Sequence, residues 1–329
     1  MVFPMSDQLS NILNSLVANA TPLVIASIGE TITERVGVTN LSLDGSLVLS
    51  AMTGFVAAYV SGSVIVGIAA AMLVGALIAL IVAIGGIALR CDQVAVGFIL
   101  TLLCADLAQF LGQEYTRKPG PTIPYWPLPV LSELPVVGKI LFTHDALVYF
   151  SFLLILGTWF WMFYTRAGLA QRAVGERPEA AFARGVDVNR LRYIYTMVGG
   201  SLVGLAGAAY SLGIKPGWQT PPVMLGDGWI ALAIVIFGGW HPFRVVFGAY
   251  LFAALRALSN AIQGNPNIDI SPVLLNMMPW VLMILTLLAV SSGGIERLVK
   301  LLPRRMQRST RNLLRSDPPA ALGTRFKAD

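Results

Sequence analysis

The sequence predicts an all-α fold, a polytopic transmembrane helical bundle of about 8–10 membrane segments that include broken or half helices. Three observations predict it. Of 329 residues, 56% are hydrophobic and only 12% charged, against about 25% charged in a soluble chain, so a polar surface cannot be assembled. Apolar stretches recur at about the 20 residues a helix needs to cross hydrocarbon with every backbone group paired. Fifteen of the 23 Lys and Arg fall in two segments, 165–192 and the tail after Ile295, which the positive-inside rule places in the cytoplasm. That clustering, without interleaved aromatics, argues against nucleic acid as the partner of this +6 chain.

In chain order the apolar stretches lie near 11–29, 41–60, 64–89, 93–112, 145–164, 193–213, 229–239, 243–262 and 276–290, nine passes in all. The stretch 229–239 is too short to span alone and reads as a half-helix or re-entrant piece. The leading residues carry no basic n-region, so the first span is expected to direct insertion. With the tail inside, Arg35, Arg90, the 165–192 loop and Arg244 are all cytoplasmic and the N-terminus is external. The 114–144 loop then lies outside. Its prolines make it irregular, and Tyr125 and Trp126 are expected at headgroup level. Loops 214–227 and 263–275 read as turns. Residues 1–294 form the transmembrane domain and 295–329 a basic cytoplasmic tail, with an amphipathic piece on the membrane lipid and no order expected after Ser316. Cys91 and Cys104 read as small core residues.

Two regions carry the functional signal. Within 165–192, Pro178 suits a first helical position, Glu179 the positive end of the helix dipole, and Ala180, Ala181 and Ala183 the turns that follow. Gly185 suits a left-handed cap. The result is a helix of about two turns with Phe182 exposed, suited to docking a cytoplasmic partner. Upstream, Gly29 to Ser46 places Glu30, Glu34, Arg35, Asn40 and Asp44 between or inside two apolar segments, with the Gly and Thr content of a broken helix. Glu34 and Arg35 read as a solvated turn, Asn40 and Asp44 as groups lining a cavity. Asp106, Gln109, Asn260 and Asn276 are further polar groups at membrane depth, a class that more often bonds neighbouring helices than solutes. Gly200, Gly204 and Ala208 form a packing row. His144 and His241 lack partners at metal-ligand spacing. Neither a GxxxxGK[ST] loop, an HExxH helix nor a GxSxG elbow occurs, so no ATP-hydrolysing, zinc-proteolytic or serine acyl-transfer site is expected in this chain.

Taken together, three blocks resemble the inner-membrane permeases of bacterial ABC importers for simple sugars and nucleosides, relatives of the ribose and branched-chain amino acid permeases. Residues 21–54 look like the family's opening block, with Glu34, Arg35, Gly37, Val38, Asn40, Leu41, Asp44 and Gly45 in its pattern. Residues 172–208 resemble its coupling segment and 226–252 its later glycine-rich block. The resemblance implies a permease subunit of the plasma membrane that passes a nucleoside or simple sugar through a pathway near Asn40, Asp44 and Asp106. It implies a cytoplasmic ATPase gripping residues 176–185, among them Glu176, Pro178, Glu179, Ala181, Phe182 and Gly185. A periplasmic or lipid-anchored binding protein and a second permease, a longer paralogue, complete the implied assembly. No cofactor is expected in this chain, ATP and Mg belonging to the ATPase. Asp44 stands where the family often has Glu, and Asp106 lies in an unusual Leu-Leu-Cys-Ala-Asp run. The rival reading is a stand-alone secondary transporter or channel, for which Asp44 and Asp106 are the plausible intramembrane acidic pair.

Overall fold

Every apolar stretch named above is helical in the structure, a computed structural model that describes residues 4–263, 271–291 and 317–326. The helices are α1 (Pro4–Arg35), α2 (Leu43–Ser61), α3 (Val64–Ala83), α4 (Gln93–Gly112), α5 (Val137–Leu141), α6 (Ala146–Tyr164), α7 (Arg166–Glu176), α8 (Pro178–Ala183), α9 (Val188–Ala208), α10 (Asp227–Phe237), α11 (Pro242–Gln263) and α12 (Pro272–Ser291). Seven of them, with the π-helical extensions Ile84–Ala88 and Ala209–Ile214, are long and apolar enough to cross a membrane. Among the described residues there is no strand.

Local chemistry sets where several helices begin. The side chains of Asp92, Asp145, Thr165 and Asp187 each accept a backbone N–H from the first turn of α4, α6, α7 and α9 respectively, satisfying donors that a helix cannot satisfy itself.

The core is built around α9, which packs against α1, α2 and α3. Small residues permit the approach. A Cβ on Gly75 of α3 would lie 2.2 Å from the Gly200 carbonyl, one on Gly204 would lie 2.2 Å from Ala71 O, and one on Gly29 of α1 would lie 2.7 Å from Gly199 O. Of the row expected at Gly200, Gly204 and Ala208, the two glycines pack on α3 and Ala208 lies by Gly54 of α2, while Gly199 makes a separate contact with α1.

The chain runs back and forth between two ends. At one end Asn14 Nδ2 donates to Lys139 O (2.7 Å) and Arg117 N–H to Trp218 O (3.0 Å), binding the 116–145 loop to the start of α1 and the 215–226 loop. At the other end Arg35, α7, α8 and the 238–241 turn gather. The 116–136 stretch contains no helix or strand, and Tyr125 and Trp126 are exposed. Loop 263–275 falls mostly outside the described residues, as does the basic amphipathic piece between 295 and 316.

Three expectations are corrected. Glu34 is not solvated: it is buried and accepts the Trp240 indole N–H, while Arg35 Nε donates to Trp240 O at 3.0 Å, because the 238–241 turn folds over the end of α1. Cys91 is exposed, being in the turn between the π-helical end of α3 and α4; Cys104 is buried as expected. Residues 317–326 are ordered, a run of turns held by backbone hydrogen bonds to Gly175 and Gly37.

Candidate functional site

Backbone at membrane depth that is not helical must be paired inside the protein or line a cavity. Among the described residues, two non-helical stretches between apolar helices converge. Residues 36–42 lead from the end of α1 to the start of α2. Residues 215–226 lead down to α10, whose 11 residues span about 16 Å and cover only part of the bilayer. Asp44, in the first turn of α2, closes the junction: its Oδ1 accepts the N–H groups of Gly226 (2.8 Å) and Gly228 (3.0 Å) at the start of α10. A carboxylate suits the positive end of a helix, and here it serves two helix starts at once. The approach demands glycine, since a Cβ on Gly228 would lie 2.2 Å from Asp44 Cα, and Gly226 has φ +95°.

The irregular stretch is fixed in the same way. Asn40 Oδ1 accepts Ser42 N–H (3.1 Å) and Ser42 Oγ–H (2.6 Å), and Asn40 Nδ2 donates to Glu30 Oε2 (3.4 Å). Thr101 Oγ1 donates to Leu41 O (2.6 Å), and Thr39 N–H to Gln93 Oε1 (2.8 Å). Asn40 and Asp44 are thus near one another at the broken helix, as expected, but both are buried and their oxygens hold the fold. Glu30 Oε1, also buried, has no hydrogen-bond partner among the described residues. Asp106 is elsewhere. It is exposed on the outward face of α4 beside Leu102, Leu103 and Phe110, so it joins neither residue.

Between α1, the π-helical end of α9, α10, α11 and α12 lies a cavity of about 350 Å³, within the roughly 300–1,000 Å³ range of small-molecule sites. Asn19, Asn260 and Trp280 line it together with a polar cluster. In that cluster Asp227 is gripped by both guanidinium nitrogens of Arg256, with Nη1 at 2.8 Å from Oδ2, and Tyr210 Oη–H donates to the same Oδ2. Asp227 is 1% exposed. Fork-to-fork pairing is the strongest form of charge-assisted hydrogen bond, and its planarity fixes Arg256 against the wall. Asp227 sits between Gly226 and Gly228, so the cavity wall and the Asp44 junction share one turn of chain. Sequence reasoning missed this cluster. The signal that could have found it is a pair of opposite charges, Asp227 and Arg256, each in an otherwise apolar segment, where an ionisable group is a functional candidate by default.

The basic loop forms two helices, not one. Pro178 occupies the first position of α8, Glu179 lies in its first turn, and Gly185 takes φ +82°. Pro178 and Ala181 face inward; Glu179 and Phe182 are exposed, and Glu176, half exposed, pairs with Arg35 across 3.7 Å. Gln171 Nε2 donates to Ile32 O (2.7 Å), tying α7 to α1. Burial, and then the charges of Arg244 and Arg35, lower the His241 pKa below its ordinary value in the adjoining turn. Among the described residues no three His, Cys, Asp or Glu side chains gather as metal ligands would.

Comparison with known proteins gives a consistent picture. Residues 11–287 match the family described as branched-chain amino acid transport system, permease component. A putative glucose ABC transporter permease of Haloferax volcanii is 36% identical over 80% of this chain and 83% of its own length. A nucleoside ABC transporter permease of Lactococcus lactis is 33% identical over 84% of this chain and 92% of its own. A guanosine ABC transporter permease of Bacillus subtilis is 33% identical over 85% and 91%. No solved structure matches.

Proposed function

The chain belongs to the branched-chain amino acid transport permease family, and from that premise we propose that it forms the translocation pathway of an importer for a nucleoside or simple sugar. It is a multi-pass permease subunit of an ABC transporter and not an enzyme, ATP hydrolysis residing in a separate ATPase chain. The observation that carries the solute reading is the 350 Å³ cavity. Its amides, Arg256 and Tyr210 offer donors and acceptors to hydroxyl groups, and the Trp280 indole offers a flat apolar face to a base or sugar ring. Relatives named for glucose, nucleosides and guanosine support that class.

Solute descends to the turn Gly226–Gly228, which Asp44 holds in place from the opposite side while Asn40 fixes the stretch leading to Asp44. The contribution of these two residues is to position the wall, and Asp106 takes no part in it. The exposed side of α8, from Glu176 to Gly185, receives the ATPase. The charge-rich end faces the cytoplasm of a plasma membrane, and the N-terminus lies outside. A solute-binding protein delivers from the outer side, and ATP and Mg are held by the ATPase alone. A second permease, a longer paralogue, covers the α4 face, since a carboxylate such as Asp106 turned toward hydrocarbon is costly without a partner.

Reconstitution of the chain with its ATPase and partner permease in vesicles tests the reading. ATP-dependent uptake of labelled nucleoside or sugar is expected, with Pro178→Ala combined with Glu179→Lys leaving insertion intact and abolishing the dependence. Uptake by this chain alone on an ion gradient would overturn the proposal in favour of a secondary transporter.

A further inference from the structure

Helix α8 is poorly equipped to move anything by itself. It has six residues, of which Pro178 and Ala181 are buried, and the ion pair joining its approach to α1, Arg35 with Glu176, is long and half exposed. Such pairs contribute little. Beside the Gln171–Ile32 hydrogen bond and the close packing of Gly175 on Arg35 O, where a Cβ would stand 2.1 Å away, a further connection comes from the far end of the chain. Ala321, 5% exposed, donates its N–H to Gly175 O (2.8 Å) at the end of α7. Two residues on, Gly323 N–H donates to Gly37 O (3.1 Å) at the start of the irregular stretch below α2. Ala320 N–H reaches Glu176 Oε2 (3.3 Å), and Arg192 Nη1 at the start of α9 donates to Thr324 O (2.9 Å). Phe326 meets Phe182 of α8 with ring centroids 5.6 Å apart. The fit at Gly37 is close, since a Cβ there would stand 3.1 Å from both Ala321 O and Arg192 Nη2.

We infer that residues 317–326 are a fixed bracket that carries displacement of the α7–α8 loop to the irregular stretch 36–42, and that Ala321 and Gly323 are its positioning residues. Backbone hydrogen bonds at both ends make the link directional, where a loose apolar contact would slip. That stretch continues through Asn40 to Asp44 and the cavity wall, so the bracket lies on the route between α8 and solute. This inference rests on the assignment of α8 as the ATPase contact.

The test uses the complete transporter in vesicles, reading solute taken up per ATP hydrolysed and the amount of ATPase chain that co-purifies. Ala321→Pro removes the N–H given to Gly175, and Ala321→Ser keeps it. The proline variant is expected to lower the uptake ratio about tenfold, the effect of one lost hydrogen bond of about 1.4 kcal/mol in a two-state link. Serine is expected to match the parent, and co-purification to be unchanged in both. A parental ratio in Ala321→Pro overturns the inference. So does loss of the ATPase chain, which would make the segment part of the docking surface instead. A second variant guards against misfolding: Glu176→Cys with Ala320→Cys in a Cys91→Ser background, oxidised to lock the segment down. Transport by this variant is expected to be the same before and after oxidation, and arrest on oxidation alone would show that the segment must leave in each cycle, overturning the inference. Pro178→Ala with Glu179→Lys runs in parallel. If that pair lowers the ratio and Ala321→Pro does not, the bracket alone falls; if neither does, the α8 assignment falls with it.

Discussion

Substitution of Asp44 separates positioning from solute contact, and its size can be worked from the geometry. Oδ1 accepts two backbone N–H groups, from Gly226 and Gly228, in a buried setting. Asp44→Ala strands both donors at a depth without water, at about 1–3 kcal/mol each, so roughly 2–6 kcal/mol in all. Asp44→Asn keeps a carbonyl oxygen where Oδ1 stands and gives up only the charge assistance, about 1 kcal/mol. The alanine variant should therefore melt well below the asparagine variant in detergent and lose uptake. The asparagine variant should retain most of both. Melting followed by light scattering, alongside vesicle uptake at saturating and limiting solute, reads the two effects. Equal melting for the two variants, or an asparagine variant that folds normally yet fails to transport, would refute the capping argument and return the carboxylate to the solute.

Three other perturbations follow from the same contacts. Arg256→Gln strands the buried Asp227 carboxylate, a change worth about 3–5 kcal/mol in buried pairs, whereas Asp227→Asn leaves an Arg256 that is a third exposed and costs less. Each single variant should lose uptake, and the exchanged pair Asp227→Arg with Arg256→Asp should recover part of it in the same vesicle assay. Gly75→Val drives a side chain into the Gly200 carbonyl, 2.2 Å from the nearest Cβ position, and is expected to abolish monodisperse protein on size exclusion. Asp106→Leu leaves the chain's own packing untouched because the residue is exposed, and should reduce co-purification of the second permease. Undiminished pairing would remove α4 from that interface.

Features that depend on neighbours along the chain are legible in the sequence alone. Among the described residues the apolar lengths locate the seven helices long enough to cross a membrane and the shorter ones at 229–239 and 276–290, because hydrocarbon thickness imposes a minimum that composition either meets or misses. Pro178 and Gly185 mark the start of α8 and the turn beyond it for equally local reasons. Orientation and long-range closure are not legible in this way. Asp106 reads as internal because a sequence position on an apolar helix does not reveal which face meets lipid. Asn40 and Asp44 do fall together, yet the groups that occupy Asp44 come from residues more than 180 positions away. The Tyr210, Asp227 and Arg256 cluster draws on three separate elements, so no window contains it. Glu34 and Arg35 resemble a solvated turn because Trp240, which covers them, is 206 positions beyond Glu34.

The glycine contacts of α9 mark where the molecule cannot slide. Where backbone touches backbone, no side-chain rotamer can absorb relative movement, and α9 meets α1 and α3 in that manner at Gly29, Gly199, Gly75, Gly200 and Gly204. These helices therefore behave as a stator. The same kind of contact recurs on the other flank, where Gly228 abuts Asp44 Cα and Gly238 abuts Val245 N, and the cavity lies between α10, α11, α12 and the stator. The cavity is thus bordered on both sides by helices locked backbone to backbone, so a side chain added at any of these glycines would change the spacing of its walls before it changed their chemistry.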